Sequence, residues 1–366
     1  MSKVFIVSAL RTPIGTFDGN LRGFSEQQLC AELMKNMNDG NKYDEIIIGN
    51  AKQTSTPSNL ARHAALLAGI SQEVPAYTVQ RQSASGLQAI ANGYWLIKSG
   101  LANTVMAGGA ESMSNIPIEI HNARFAFNEN TKIVFDTITA HLEGAQPEEI
   151  YGKLTAEQIS ENIAKLYGLS EDDLRRYASS GVEKAQKRTT ETYILPLEVR
   201  KKKATEVIDT DELYARPESI ARPADGAALC LLTNEESGAV LGEVLSFGFS
   251  AGEPEHKGWI GEGAVISALK KANLSIHQIG LIECNEVFAS QTLALKKELV
   301  KMGAQNLDNT FNTEGGGLVL GSTWGGAGAI LTVDLLNRMN KKGIQHGMVV
   351  VPAEGGQVMA AIFKGR

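Results

Sequence analysis

With 366 residues, 43% of them hydrophobic and 21% charged, the chain has the balance of a soluble globular protein with enough material for two or three compact units. A net charge of −6 excludes a general nucleic-acid binder. The three cysteines, Cys30, Cys230 and Cys284, cannot all pair and lack metal-ligand spacing, which points to a reduced, cytoplasmic setting and no bound metal.

Residues 4–10 form an apolar run closed by Arg11, too short for a signal or a membrane span, and read as a buried strand. A helix near 25–37, a strand at 45–49, a helix near 58–69 and a strand at 74–79 follow. Next comes a helix from 85, whose buried face reads Leu87, Ile90, Ala91, Tyr94 and Ile97, and a strand at 104–107. Residues 118–220 break this alternation. They are more charged, with helical stretches at 155–167 and 171–187 suited to an inserted lid, and Pro217 and Pro223 lead back to the core. Within them the basic run Arg200, Lys201, Lys202, Lys203 reads first as a solvated turn and second as a neighbour of nucleotide phosphates.

Alternation resumes with a strand at 241–249, a helix near 260–272, a strand at 281–284, a helix near 288–301, a strand at 309–312, a helix near 325–339 and a strand at 347–351. The strand, small-residue loop and helix of 74–98 correspond to 311–339, so the two halves echo each other within an α/β layered pattern. This organisation predicts an N-terminal core half over 1–117 completed by about 221–238, an insert over 118–220, and a C-terminal core half over 239–366.

Chemistry concentrates at Gln80-Arg81-Gln82-Ser83-Ala84-Ser85-Gly86-Leu87-Gln88-Ala89. A small residue between strand and helix sits beside free backbone N–H groups at the positive helix end, where a thiol would be acidified. The string resembles the thiolase family, whose version is close to R-Q-C-A-S-G-L-Q-A with a nucleophilic cysteine at the position of Ser83. The likeness runs through Arg11-Thr12-Pro13, Gly108 to Ser114, Asp225-Gly226-Ala227-Ala228, Asn285-Glu286-Val287-Phe288-Ala289, Asn312 with Gly315-Gly316, and Gly355-Gly356-Gln357.

That resemblance implies a thiolase fold, five-layered α-β-α-β-α built from two similar halves with an inserted helical lid. It implies acyl transfer between coenzyme A thioesters by Claisen condensation, no bound cofactor, acyl-CoA or coenzyme A as ligand, a homodimer or tetramer, and no membrane partner. Its catalytic positions fall on Ser83, Asn285, Ser322 and Pro352. The family has cysteine at the first, asparagine at the second, histidine at the third and cysteine at the fourth, so only Asn285 keeps the family residue. An alcohol is a poor nucleophile without a base, and proline carries no titratable group. Substrate-facing positions fall on Tyr151, Arg216, His256, Phe288, Gly355 and Gly356.

Several residues carry a plainer reading alongside. Asn285 would also cap the helix that starts near Phe288, and Cys284 reads as an apolar filler. Glu354, on the first glycine of the family's C-x-G-G-G string, reads first as a solvated loop glutamate and second as a substitute acid/base. His256 falls in the loop that, by the resemblance, faces the substrate. The family's glycine–asparagine–serine string against the pantetheine arm is missing between Pro217 and Asp225. Three functions follow: a thiolase-like protein with impaired catalysis, an active acyltransferase or thioester hydrolase using Ser83, or a non-catalytic acyl-CoA-binding or partner subunit.

Overall fold

A computed structural model describes residues 3–38, 40, 42–121, 133–186, 188, 191–201, 204–236 and 240–366. Lys202 and Lys203 of the basic run, and the boundary expected at 238/239, lie outside the described residues, as do the side chains of His121 and Ile133. Ten strands build one sheet. Its path runs Leu281–Cys284, His346–Ala353, Gln357–Gly365, Gly242–Ala251, Phe5–Arg11, Ala224–Thr233, Thr104–Ser112, Glu45–Gly49, Ala76–Val79, with Gly15–Thr16 pairing beside Ala224–Thr233. The outermost pairs are parallel and the central ones antiparallel. The two halves join where Phe5 and Ile6 pair with Glu243 and Gly242.

Helices Ser85–Lys98 and Ala327–Lys342 pack on each other between the half-sheets. Glu26–Met37 and Leu60–Leu67 cover one outer face, and Glu262–Ala272 the other. Five layers result, as the thiolase resemblance implies. Strand Ala224–Thr233 is buried at every position, because helices cover both of its faces. The central helices need glycine where they meet: a Cβ on Gly86 would lie 2.7 Å from the Gly325 carbonyl oxygen.

The insert adds two antiparallel strand pairs, Ile118–His121 with Ile133–Asp136 and Leu197–Arg200 with Thr205–Ile208. It also supplies helices Thr137–Glu143, Glu148–Tyr151, Ala156–Tyr167 and Glu171–Ala185. The latter two bury Ile159, Ile163, Leu174 and Ala178 and pack on helix Ala289–Lys301. One expected element differs. The strand expected at 309–312 is a short helix, Leu307–Thr310, followed by a single bridge from Phe311 to Ile282. Asn306 in the left-handed region and the capping turn after it redirect the chain, so only Phe311 reaches the sheet edge.

Candidate active site

The turn after Ala76–Val79 is locally over-determined. Ser85 Oγ accepts the Arg81 N–H at 2.8 Å and donates to the Gln82 carbonyl at 2.6 Å. Gln82 sits at φ 51°, a left-handed conformation that a side-chain-bearing residue holds at a cost of about 1–3 kcal/mol. This geometry delivers Ser83, fully buried, one residue ahead of the N-cap position Ala84.

Its partner comes from the other half of the molecule. Ser83 Oγ donates to Glu354, lying 2.8 Å from Oε1 and 3.0 Å from Oε2, and the Ser83 N–H donates to Oε2 at 3.0 Å. Glu354 follows strand His346–Ala353 and precedes the tight turn at Gly355 and Gly356, whose φ values of 80° and 72° favour glycine. At 3% exposure Glu354 is not a solvated loop residue. That reading is corrected because the hairpin folds inward over the helix start, and the Ser83 N–H and O–H satisfy the buried carboxylate. Among the described residues no thiol and no imidazole hydrogen-bonds Ser83.

Beside this pair stands His141, from the insert helix Thr137–Glu143, which the Asp136 side chain caps by accepting the Ile138 N–H. The ring stacks on Trp324 with centroids 4.5 Å apart and planes 21° apart. Burial lowers the imidazole pKa, and Lys52 lowers it further, against the Glu354 charge that favours the imidazolium. Its Nε2 has no hydrogen-bond partner among the described residues. Trp324 sits at φ 37°, a second strained position at the same place.

A cavity of about 260 Å³ opens under the insert, lined on the core side by Pro223, Val287, Phe288, Trp324 and Glu354 and on the insert side by Ile138, Leu142 and Ala156. Phe288 is 1% exposed, its ring centroid 5.1 Å from that of Trp259. A second, polar cavity of about 490 Å³ is lined by Lys52, Gln53, Gln80, Gln82 and His141. Helix Thr137–Glu143 contributes to both.

Asn285 and Ser322 are buried nearby in sequence to that lining, and Asn285 Nδ2 and Ser322 Oγ have no hydrogen-bond partner among the described residues. Ser322 is pinned by its backbone, donating to Arg222 O at 2.7 Å and accepting from Ala224 N–H at 2.9 Å. Asn285 does not cap the following helix. The N-cap position is Phe288, without a side-chain bond, and the Ala289 N–H is taken by Ser219 O at 2.7 Å. The two residues between Asn285 and Phe288 carry the chain past the helix start.

Family models for the thiolase N-terminal domain and the thiolase C-terminal domain match residues 4–235 and 239–365. The chain belongs to the thiolase family. A probable acetyl-CoA acyltransferase of Staphylococcus aureus (strain COL) is 30% identical over 398 residues, 99% of each chain. The beta-ketoadipyl-CoA thiolase of Acinetobacter baylyi is 30% identical over 402 residues, 100% of both. Among solved structures, the Bacillus anthracis acetyl-CoA acetyltransferase superposes with a TM-score of 0.92 at 27% identity, over 100% of this chain and 99% of that one. Human mitochondrial 3-ketoacyl-CoA thiolase in complex with CoA gives 0.90 at 27% identity, over 100% and 98%.

In this thiolase-family chain the predicted site residues separate into two groups. Ser83, Phe288 and the Gly355–Gly356 turn gather around Glu354, and Pro352 lies one residue before Ala353 in the strand that carries it, opposite Val358. Arg216, Tyr151 and His256 are not among the residues lining the cavity at Glu354. Arg216 and Tyr151 are exposed. The His256 Nδ1 instead accepts the Lys257 N–H at 2.7 Å, closing its own turn. Cys284 is fully buried and its thiol is pushed up by burial, as expected of a filler. Of the basic run, Lys201 reaches Asn20 Oδ1 at 2.9 Å across the surface.

Sequence reasoning missed His141, which has no spacing signal. It also missed the brace at Glu286, which accepts from Tyr177 Oη at 2.6 Å and Asn312 Nδ2 at 2.7 Å and ties insert to core. No helix among the described residues is long and apolar enough to cross a membrane.

Proposed function

We propose that this thiolase-family chain binds an acyl-coenzyme A thioester and does not perform Claisen chemistry. The observation that carries the reading is the bond between Ser83 and Glu354: the family's nucleophile position holds an alcohol clamped to a carboxylate. Condensation needs a thiolate to carry the acyl group and a base to move the α-proton. At the corresponding positions this chain offers Ser83, Ser322 and Pro352. The acyl group would occupy the cavity against Phe288 and Trp324. Exposed Arg216 is the residue we assign to the coenzyme A phosphates, with Tyr151 and His256 as outer contacts. A homodimer or tetramer in the cytoplasm, with or without a second thiolase as partner, completes the proposal.

Calorimetric titration with coenzyme A and acetyl-CoA, beside an acetoacetyl-CoA thiolysis assay, tests it. Saturable acetyl-CoA binding with thiolysis at the buffer rate is the expected pair of results. Thiolysis at hundreds of turnovers per second, the upper range for an ordinary enzyme at roughly 10²–10³ per second, would end the first half of the reading. Absence of any binding would end the second.

A further inference from the structure

Ser83 is fully buried, whereas Glu354 is 3% exposed and forms part of the cavity wall. A group reaching in from the cavity therefore meets the carboxylate before the hydroxyl. Both donors of Ser83 are spent on holding that carboxylate, from one side, by its O–H and its N–H. A buried carboxylate fixed in this way is a positioned base.

We infer that Glu354 is the catalytic base of a thioester hydrolysis and that Ser83 is its positioning residue, not a nucleophile. The inference rests on the reading that an acyl thioester enters this cavity. A water between Glu354 and the thioester carbonyl loses a proton to the carboxylate as its oxygen bonds to the acyl carbon. The carbon–sulfur bond then breaks, and the departing thiolate takes the proton from Glu354. Thioester and water become carboxylic acid and thiol, and the base is regenerated. The oxyanion that forms in between needs hydrogen-bond donors. Among the described residues the buried Asn285 Nδ2 and Ser322 Oγ have no hydrogen-bond partner; Asn285 lines a small neighbouring cavity, and Val287, Phe288 and Trp324, two or three residues further along, line this one. On the insert side the cavity is closed by Ile138, Leu142 and Ala156, while His141 stacks on the cavity residue Trp324.

Release of coenzyme A from acetyl-CoA and from a medium-chain acyl-CoA, followed with a thiol reagent, is the first measurement. Glu354→Gln, close in size, should lower kcat by about 100-fold or more with KM within about threefold, the range for loss of a general base. Ser83→Ala should lower kcat by about tenfold at unchanged KM, a split that a merely structural role would not produce. Acid-quenched wild-type protein, analysed by mass spectrometry during turnover, should carry no acyl group on the peptide containing Ser83. An acylated Ser83 peptide would overturn the assignment, as would Glu354→Gln hydrolysing at the wild-type rate. Acetyl-CoA that binds wild-type protein but is hydrolysed no faster than in buffer would overturn it while leaving the binding proposal intact.

Discussion

Replacing Arg11 with methionine should unfold the chain far more readily than any surface change. Arg11 is completely buried, with Nη1 and Nη2 on Asp211 at 2.7 and 2.9 Å and Nε on Asp334 at 2.6 Å. Arg188 reaches Asp334 at 3.0 Å, and Arg338 bridges Asp334 at 3.1 Å and Glu283 at 2.7 Å. Three guanidiniums thus face three buried carboxylates, with Glu314 at the rim. Arg11→Met leaves two cations for the three carboxylates, and stranding a buried charge costs about 3–5 kcal/mol.

The loss depends on pH with a definite sign. Burial by itself would raise the carboxyls of Asp211 and Asp334, but Arg11 and Arg188, with Arg338 at Asp334, overcome it and hold both below the usual aspartate range. Stability from such groups is present above the unfolded-state aspartate pKa, about 4, and fades as pH falls toward the folded-state value. The gap between wild type and Arg11→Met should therefore be largest near neutrality and narrow in acid. Urea unfolding followed by tryptophan fluorescence, at pH 7 and again near pH 3.5, measures both. A penalty under about 1 kcal/mol at pH 7, the range of an exposed pair, or one that grows in acid, would refute the reasoning.

The native protein should resist alkylation. Cys30, Cys230 and Cys284 are buried, and burial pushes all three thiols up, that of Cys230 to about 12; mass spectrometry after iodoacetamide should find modification only once denaturant is added. Gly86→Ala should cost about 1–3 kcal/mol by overpacking the contact between the central helices. Gly23→Ala, with open space around the new Cβ, should be near neutral in the same unfolding assay. By NMR the His141 ring should titrate below the ordinary histidine range because burial disfavours its charge. Trp324→Ala, which bares one ring face, should bring that midpoint back up, and an unmoved midpoint would contradict the assigned cause.

Much of the layered architecture was legible in the chain itself. Strand Leu281–Cys284 and helices Ser85–Lys98 and Glu262–Ala272 follow from apolar runs and helical spacing, because burial on both faces or one stripe leaves a local imprint. The residue types at 83, 322 and 352 are equally local, and no fold was needed to see that an alcohol or a proline stands there. Glu354 was another matter. A glutamate between strand and glycines looks solvated in any local window, and its partner lies 271 residues earlier. His141 likewise acquires meaning only when the insert brings its ring onto Trp324, two residues beyond Ser322. Sequence by itself determined which chemical groups the protein owns and the layers they ride on. Tertiary structure alone decided that the hairpin turns inward and sets a carboxylate against Ser83, since that choice depends on how two halves close over a shared pair of helices, a contact no short stretch of chain encodes.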